Sequence, residues 1–290
     1  MRKKIQILLL LGLFCIGATG CFKRDVLEDI TIYTTAYPME YITNRLYGEH
    51  STVSSVYPDG VDPRHYKLTD KQIKDYSKGS LFIFNGLVET EKKDVIKMFE
   101  DNKNIKIIDT TLSMEYANEI EELWLNPSNF LMLAQNIKNG LNEYISNHYL
   151  KEEINNNYDA LKLEISSLDA KFKLVSESAS RNTIVVSNDV FKFLEKYNFN
   201  VISLEENANL TQKTISDVQS MIKLGTVKHI FVLDNEDVNG TIQKLIKNTG
   251  VETLSFNTIY NLSEAARKEN KDYISLMNDN IELLKQELYD

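Results

Sequence analysis

The segment from Ser55 to Thr69, SVYPDGVDPRHYKLT, brings together side chains that could bind a ligand. It holds two of the four prolines in the chain, and Pro58-Asp59-Gly60 followed by Asp62-Pro63 predicts a tight turn with a stiff, extended exit. The turn presents Arg64-His65-Tyr66, which are a cation, an imidazole and a phenol. Because a predicted strand, Thr52 to Tyr57, precedes it, and open α/β sheets bind ligands at the carboxyl ends of strands, we expect a binding site here. The alternative interpretation is a surface turn with an incidental histidine.

Acidic residues are the other candidates for chemistry, and Glu121-Glu122 is the pair that stands out. Neighbouring residues rarely point at one atom, so this pair does not predict general acid–base catalysis. No nucleophile is accompanied by a histidine at a supporting spacing, and the charged run Arg267 to Asp272 is typical of a solvated helix face. The sequence therefore favours a binding protein over an enzyme.

The first twenty residues have the pattern of a secretory signal peptide, with basic residues 2–4, an apolar run from Ile5 to Ile16 and small residues 17–20. The apolar run is too short to span a membrane as a helix. Cys21 follows directly, as in a bacterial lipobox, although Ala18 stands where Leu, Val or Ile is usual. We therefore expect cleavage before Cys21 and lipidation of its thiol, which would anchor the protein to the outer face of the bacterial cell membrane. The alternative is an ordinary signal peptide with a chance cysteine.

Composition excludes several classes of protein. The other cysteine, Cys15, lies in the predicted signal peptide, so the mature chain would have no internal disulfide and must be stabilised by its packed core. The signal peptide holds three of the 33 basic residues and none of the 42 acidic ones, which leaves the mature chain with a net charge of −12. This charge argues against nucleic acid as a partner and against a polybasic membrane contact.

Strand and helix patterns alternate in both halves of the chain, which predicts parallel sheets with two covered faces. The predicted strands are Ile30 to Thr34, Thr52 to Tyr57, Ser80 to Phe84, Ile105 to Ile108, Thr183 to Ser187, Val201 to Leu204, His229 to Leu233 and Glu252 to Phe256. Between Trp124 and Ser180 only helical spacing appears, and it predicts a helix from Glu152 to Val175, about 36 Å long. A long helix from Ser263 to Leu288 is predicted to close the chain.

These patterns predict an α/β fold of two lobes with parallel sheets, joined by one long rigid helix. The predicted segments are a signal peptide (1–20), a lipidated tether (21–29), an N-terminal α/β lobe (30–128), a helical region with the linking helix (129–180) and a C-terminal α/β lobe (181–290).

In this order of elements the chain resembles the substrate-binding lipoproteins of zinc and manganese ABC transporters. The resemblance covers essentially the whole mature chain and depends on the collinear order of several segments. These are TTAYPMEYI, PDGVDPRHYKLTDKQI, LFIFNGLVE, WLNP, the long helix, VVSNDVFKFLEKYNF, KHIFVLD and LMNDNIELLKQEL. It implies the metal-type periplasmic-binding-protein fold, with the cargo held between the lobes and delivered to an ABC permease and its ATPase. It also implies a monomer that meets the membrane through its lipid.

The resemblance places this chain's residues on the family's metal ligands, and every position is altered. Arg64 falls on a ligand histidine, with His65 one place later, and Glu122 falls on a second. Asn188 falls on a His or Glu, and Asn257 or, with a one-residue slip, Thr258 falls on an Asp. The predicted cleft is therefore lined by Arg64, His65, Glu122, Asn188 and Asn257, with His65 and Glu122 as the candidate metal ligands. Oxygen-rich ligands suit a hard, manganese-like divalent cation better than zinc.

Two alternatives use the same residues. Arg64 and Glu122 could pair with each other across the site, because a guanidinium and a carboxylate match well in a fork. The chain would then be a non-transporting surface lipoprotein that kept the fold and lost the metal. In the second alternative, Arg64 receives an anionic group of a non-metal solute.

Overall fold

The structure is a computed structural model and describes residues 27–234 and 236–289. The predicted signal peptide, the lipidation site Cys21 and most of the predicted tether lie outside the described residues. Within the described part of the chain, no helix has both the length and the apolar character needed to cross a membrane.

The N-terminal lobe is a four-stranded parallel sheet with helices against it. Its strands are β1 (Ile30–Thr34), β2 (Ser51–Ser55), β3 (Leu81–Phe84) and β4 (Lys106–Asp109), in the order β2-β1-β3-β4. Its helices are α1 (Tyr37–Tyr47), α2 (Asp70–Tyr76) and α3 (Glu89–Asp101), with a 3₁₀ turn at Gly48–His50. The β3 sequence, LFIF, is buried at all four positions, as expected for a strand covered on both faces.

Three helices connect the lobes: α4 (Glu122–Leu125), α5 (Pro127–Tyr144) and α6 (His148–Ser178). The predicted linking helix is confirmed as α6, which has 31 residues and extends beyond the predicted limits at both ends. Asn147 sets its start, because its side chain accepts a hydrogen bond from the backbone N–H of Tyr149. At ~1.5 Å per residue the helix is about 46 Å long.

The C-terminal lobe repeats the architecture of the first. Its strands are β5 (Thr183–Val186), β6 (Asn200–Ser203), β7 (His229–Leu233) and β8 (Glu252–Phe256), in the order β6-β5-β7-β8 and all parallel. Its helices are α7 (Gln212–Lys223), α8 (Gly240–Thr249), α9 (Glu264–Lys268) and α10 (Tyr273–Leu288), with a 3₁₀ helix at Asp189–Tyr197. The predicted fold class, two parallel-sheet lobes joined by a long helix, is confirmed.

The prediction of one closing helix from Ser263 to Leu288 is wrong, because the chain breaks between α9 and α10. Asn270 has a φ of 54°, in the left-handed region that helices do not use. Asp272 then begins α10 with a capping box: its carboxylate accepts from the N–H of Ser275, and the Ser275 hydroxyl accepts from the N–H of Asp272. The break separates α9 from α10, and Arg267 of α9 contacts Glu40 and Asp59 of the N-terminal lobe.

Aromatic side chains pack the start of α10 against α1 and α5. Tyr273, at the start of α10, stacks on Phe130 of α5, with ring centroids 4.0 Å apart and an angle of 19° between the planes. The ring of Tyr41, on α1, lies 5.6 Å from Tyr273. Because these three rings belong to one continuous buried core, the closing helix is packed against both the N-terminal lobe and the connecting helices.

Candidate functional site

The loop that follows β2, residues 56–66, is held in a fixed shape and is called the Arg64 loop below. Gly60 has a φ of 77°, which favours glycine, and its N–H donates to the carbonyl of Leu262 in the C-terminal lobe at 2.7 Å. The Asp62 carboxylate accepts from the backbone N–H of Arg64 at 2.9 Å. The stiff loop that the sequence predicts is thus present, and Asp62 orients the residue that follows the turn.

Arg64 reaches across the cleft between the lobes. Its Nη1 donates to Oε1 of Glu236, in the loop after β7, at 2.8 Å. On the other side of the guanidinium, Nε and Nη2 donate to the two oxygens of Asp62 at 3.3 and 3.2 Å. Although burial opposes ionisation of Asp62, these bonds hold the pKa of its carboxyl below its usual range. Arg64 therefore forms an ion pair that joins the two lobes.

Glu121 is the buried acid of the site. Its side chain is 2% exposed, and its Oε1 lies 3.7 Å from Nη1 of Arg64. That oxygen has no hydrogen-bond partner among the described residues. Burial raises the pKa of Glu121 to about 7, although the nearby guanidinium favours the charged form. Glu121 thus offers a carboxylate oxygen that a bound cation could satisfy.

Further carboxylates surround this pair. Burial raises the pKa of Glu119, and the negative charges of Glu205 and Glu236 raise it further. One guanidinium therefore stands among several carboxylates, and the cleft favours positive charge. The carboxylates are not arranged as a ready-made metal centre: within residues 27–234 and 236–289, no group of three or more His, Cys, Asp or Glu side chains is placed to hold an ion.

The predicted pair between Arg64 and Glu122 is wrong. The Glu122 carboxylate accepts from the N–H of Ala117 at 3.0 Å and from the side-chain amide of Asn118, both in the loop before α4. Successive residues of a helical turn point about 100° apart, so Glu121 faces Arg64 while Glu122 faces the loop before α4.

His65 also differs from its predicted role. Its side chain is 82% exposed, and Nδ1 pairs with Oδ2 of Asp62 at 3.1 Å. The geometry does not favour metal ligation by His65, or by Glu122, whose carboxylate is engaged within its own lobe. Metal ligation by either residue stays a prediction.

Asn188 and Asn257 follow β5 and β8 at the carboxyl ends of the C-terminal sheet. The Asn188 side chain caps the 3₁₀ helix and its amide donates weakly to Oε2 of Glu236 at 3.5 Å, so it stands beside the Arg64 ion pair. Asn257 accepts from the N–H of Ile259 and lines a pocket of about 330 Å³ between the lobes. Asp62 and Asp234 line the same pocket. The structure therefore places Asn188 beside the Arg64–Glu236 ion pair, and it places Asn257 in the pocket that Asp62, the other partner of Arg64, also lines.

Sequence reasoning missed Glu236 as a site residue and ranked Glu122 above Glu121. Glu236 lies in a short acidic segment after β7, and its position after a strand was the available signal. No sequence pattern links it to Arg64, from which it is separated by 172 positions.

Glu91, on α3, is another buried carboxyl of the N-terminal lobe, and it lies against the Arg64 loop. It accepts from the backbone N–H of Asn85 at 2.8 Å and from the Tyr57 hydroxyl at 3.3 Å. Burial raises the pKa of Glu91 from 4.5 to about 7, although these hydrogen bonds favour the ionised form. The folded state therefore prefers Glu91 protonated, and this stabilisation is complete below pH 4.5 and is lost as the pH rises through 7.

We expect that the variant Glu91→Gln does not lose stability as the pH rises through 7. Above pH 8 the variant should be more stable than the wild type by up to about 3 kcal/mol, and the difference should shrink below pH 5. Urea denaturation between pH 4.5 and 8.5 measures it. Glu89→Gln, on the exposed side of the same helix, is the matched control and should leave the pH profile unchanged. An unchanged profile for Glu91→Gln would show that Glu91 is ionised at neutral pH in the folded protein.

Comparisons with known proteins agree with this architecture. Residues 32–287 match the family described as zinc-uptake complex component A, periplasmic (ZnuA). The metal ABC transporter substrate-binding lipoprotein of Lactococcus lactis subsp. lactis (strain IL1403) is 27% identical over 296 positions, which cover 93% of this chain and 91% of that protein. The zinc-binding lipoprotein AdcA of Streptococcus pneumoniae (strain ATCC BAA-255 / R6) is 24% identical over 311 positions, which cover 98% of this chain. This chain spans 61% of the length of AdcA.

A solved structure shows the same fold. The Zn(II)-bound ZnuA-like domain of Streptococcus pneumoniae AdcA matches with a TM-score of 0.72 and 22% identity, over 90% of this chain and 100% of that domain. The predicted resemblance to the substrate-binding lipoproteins of metal ABC transporters is confirmed by these relatives.

Proposed function

Because the chain belongs to the family of the zinc-uptake complex component A, we propose that it is the solute-binding component of a metal-type ABC transporter. Its cargo is a divalent cation bound in the cleft between the lobes. The metal ion enters as the Arg64 guanidinium leaves. Glu121 and Glu236 then bind the metal ion in place of the guanidinium.

The proposal rests on Oε1 of Glu121, a buried oxygen that has no hydrogen-bond partner in the part of the chain that the structure describes. A buried carboxylate oxygen without a hydrogen bond is costly, and such atoms are rare in folded proteins. Arg64 lies 3.7 Å from this oxygen, beyond hydrogen-bonding distance, and is shared with Glu236. A metal ion coordinated by Glu121 would satisfy the oxygen directly.

The residues around the cleft favour a hard cation. Carboxylates and the amide oxygens of Asn188 and Asn257 are the ligands that suit Mn²⁺, whereas Zn²⁺ prefers imidazole and thiolate. The imidazole of His65 is mostly exposed and is bonded to Asp62. We therefore propose a manganese-like ion as the preferred cargo.

We also propose where the protein is located and which proteins it meets. The chain would be anchored through a lipid on Cys21 to the outer face of the bacterial cell membrane and act there as a monomer. A membrane permease with its ATPase would receive the cargo. The relatives named as lipoproteins and as components of metal ABC transporters support this part of the proposal.

Calorimetry on the metal-stripped mature protein, against Mn²⁺, Zn²⁺ and Fe²⁺, tests the cargo. We expect one site per chain, with a micromolar or lower Kd for Mn²⁺ and weaker binding of Zn²⁺. Glu236→Gln should weaken binding, whereas Glu282→Gln, an exposed carboxylate on α10, should not. Binding of none of the three ions below millimolar concentration would contradict the proposal.

The ion pair itself favours a second candidate, a surface lipoprotein that kept the fold and carries no metal. Arg64 and Glu236 join the lobes directly, with Nη1 and Oε1 2.8 Å apart. This candidate predicts that Arg64→Ala lowers thermal stability and that no divalent cation restores it. The proposed transport function predicts instead that Mn²⁺ restores the stability of the variant.

A further inference from the structure

Arg267, on the short helix α9 of the C-terminal lobe, forms ion pairs with two residues of the N-terminal lobe. The sequence predicts a solvated helix face here, but its guanidinium binds two carboxylates. Nε and Nη2 donate to the two oxygens of Asp59, at 3.0 and 2.8 Å. Nη1 and Nη2 donate to the two oxygens of Glu40, on α1, at 2.8 and 3.3 Å. The guanidinium also lies 5.7 Å from the ring centroid of Tyr37.

Asp59 belongs to the Arg64 loop, and the same loop is held by the C-terminal lobe at further points. The side-chain amide of Asn261 donates to the carbonyls of Pro58 and Val61 at 2.7 and 2.9 Å. The N–H of Gly60 donates to Leu262 at 2.7 Å. The turn that immediately precedes Asp62 and Arg64 is thus fixed to the opposite lobe.

We propose that Arg267 is a positioning residue for the cleft. By fixing Asp59 it fixes the turn from which Arg64 extends, and so it sets how readily the Arg64 guanidinium leaves Glu236. The effect on cargo rests on the proposed function, whereas the effect on the loop does not. The contact is specific for arginine, because a planar guanidinium can meet two carboxylates in bidentate fashion and an ammonium cannot.

Two conservative variants distinguish a positioning role of Arg267 from a purely structural role. Asp59→Asn removes the charge on the loop side of Arg267, and Glu40→Gln removes the charge on the helix side. Glu40 is 6% exposed and Asp59 is in the loop, so a purely structural role would make Glu40→Gln the more damaging change. A positioning role predicts that only Asp59→Asn mobilises the Arg64 loop.

Hydrogen exchange of the mature protein without metal is the first measurement. We expect Asp59→Asn and Arg267→Lys to raise the exchange rate of amides 57–66 about tenfold, and Glu40→Gln to leave it near the wild-type rate. Equal protection of this segment in the wild type and in Asp59→Asn would overturn the proposal, whether or not any cation binds.

Stopped-flow binding of Mn²⁺ is the second measurement. A looser loop should let Arg64 withdraw from Glu121 and Glu236 more often, and these two carboxylates lie outside the loop. We therefore expect Asp59→Asn to raise the association rate about tenfold, to leave the dissociation rate near the wild-type value, and so to lower the Kd about tenfold. If Asp59→Asn only lowers the fraction of protein that binds Mn²⁺ and leaves both rate constants unchanged, Arg267 is not a positioning residue. Absence of Mn²⁺ binding in the wild type would count against the proposed function and leave the exchange result to decide on Arg267.

Discussion

Replacing Arg64 with histidine is expected to raise the affinity for Mn²⁺ and Zn²⁺ at least about 100-fold. The guanidinium lies 2.8 Å from Glu236 and 3.7 Å from Glu121, so an incoming cation must displace it or bind beside a like charge. Two unit charges 4 Å apart interact by about 4 kcal/mol at an effective dielectric constant of 20, and each 1.4 kcal/mol is tenfold in affinity. A neutral imidazole removes this repulsion and adds a metal ligand, which should favour Zn²⁺ more than Mn²⁺.

Calorimetry on matched variants checks this expectation. Arg64→Lys keeps a positive charge on a long side chain, so it should remain within about tenfold of the wild type. Arg64→Gln loses the charge without gaining an imidazole, and it should gain affinity for both ions to a similar degree. If Arg64→His and Arg64→Lys bind the two ions with similar Kd values, the charge of residue 64 does not determine the affinity of the site for metal ions.

Much of the fold could be predicted because its signals are local. The continuous apolar run of β3 and the helical spacing of apolar residues along α6 each reflect which faces are buried. The break between α9 and α10 escaped prediction although its signal is local. Asn270 is left-handed and ends α9 in a Schellman-type turn, in which the N–H of Lys271 donates to the carbonyl of Ala266 and the N–H of Asn270 donates to the carbonyl of Arg267.

The site was predicted less well because its geometry is not local. The sequence places the Arg64 loop at the carboxyl end of a strand, and the structure agrees. Whether Glu121 or Glu122 faces the loop depends on the direction in which α4 begins, and one residue of rotation exchanges their roles. Glu236 comes from the other lobe, so its pairing with Arg64 depends on how the two sheets are held by α6.

Replacing Trp124 with alanine is expected to lower the free energy of unfolding by about 4 kcal/mol, near the upper end of large-to-small core changes. The side chain is fully buried, and its ring lies 4.7 Å from that of Tyr260 in the C-terminal lobe. Its Nε1 donates to the carbonyl of Thr258 at 2.7 Å, and its own carbonyl accepts from the Tyr273 hydroxyl. The substitution therefore opens a cavity and leaves a buried carbonyl between the lobes without its donor.

Trp124→Phe separates these two effects. Phenylalanine fills most of the cavity but cannot donate to Thr258, so it should cost about 1–3 kcal/mol, the range for an unpaired buried polar group. Tyr149→Ala, at a side chain that is 76% exposed, is the control and should change stability little. Urea denaturation of the mature protein measures all three variants. Because α4 carries Trp124 one turn after Glu121, a cost for Trp124→Ala close to that of Tyr149→Ala would mean that this helix is not fixed by the core, and the position of Glu121 opposite Arg64 would lose its support.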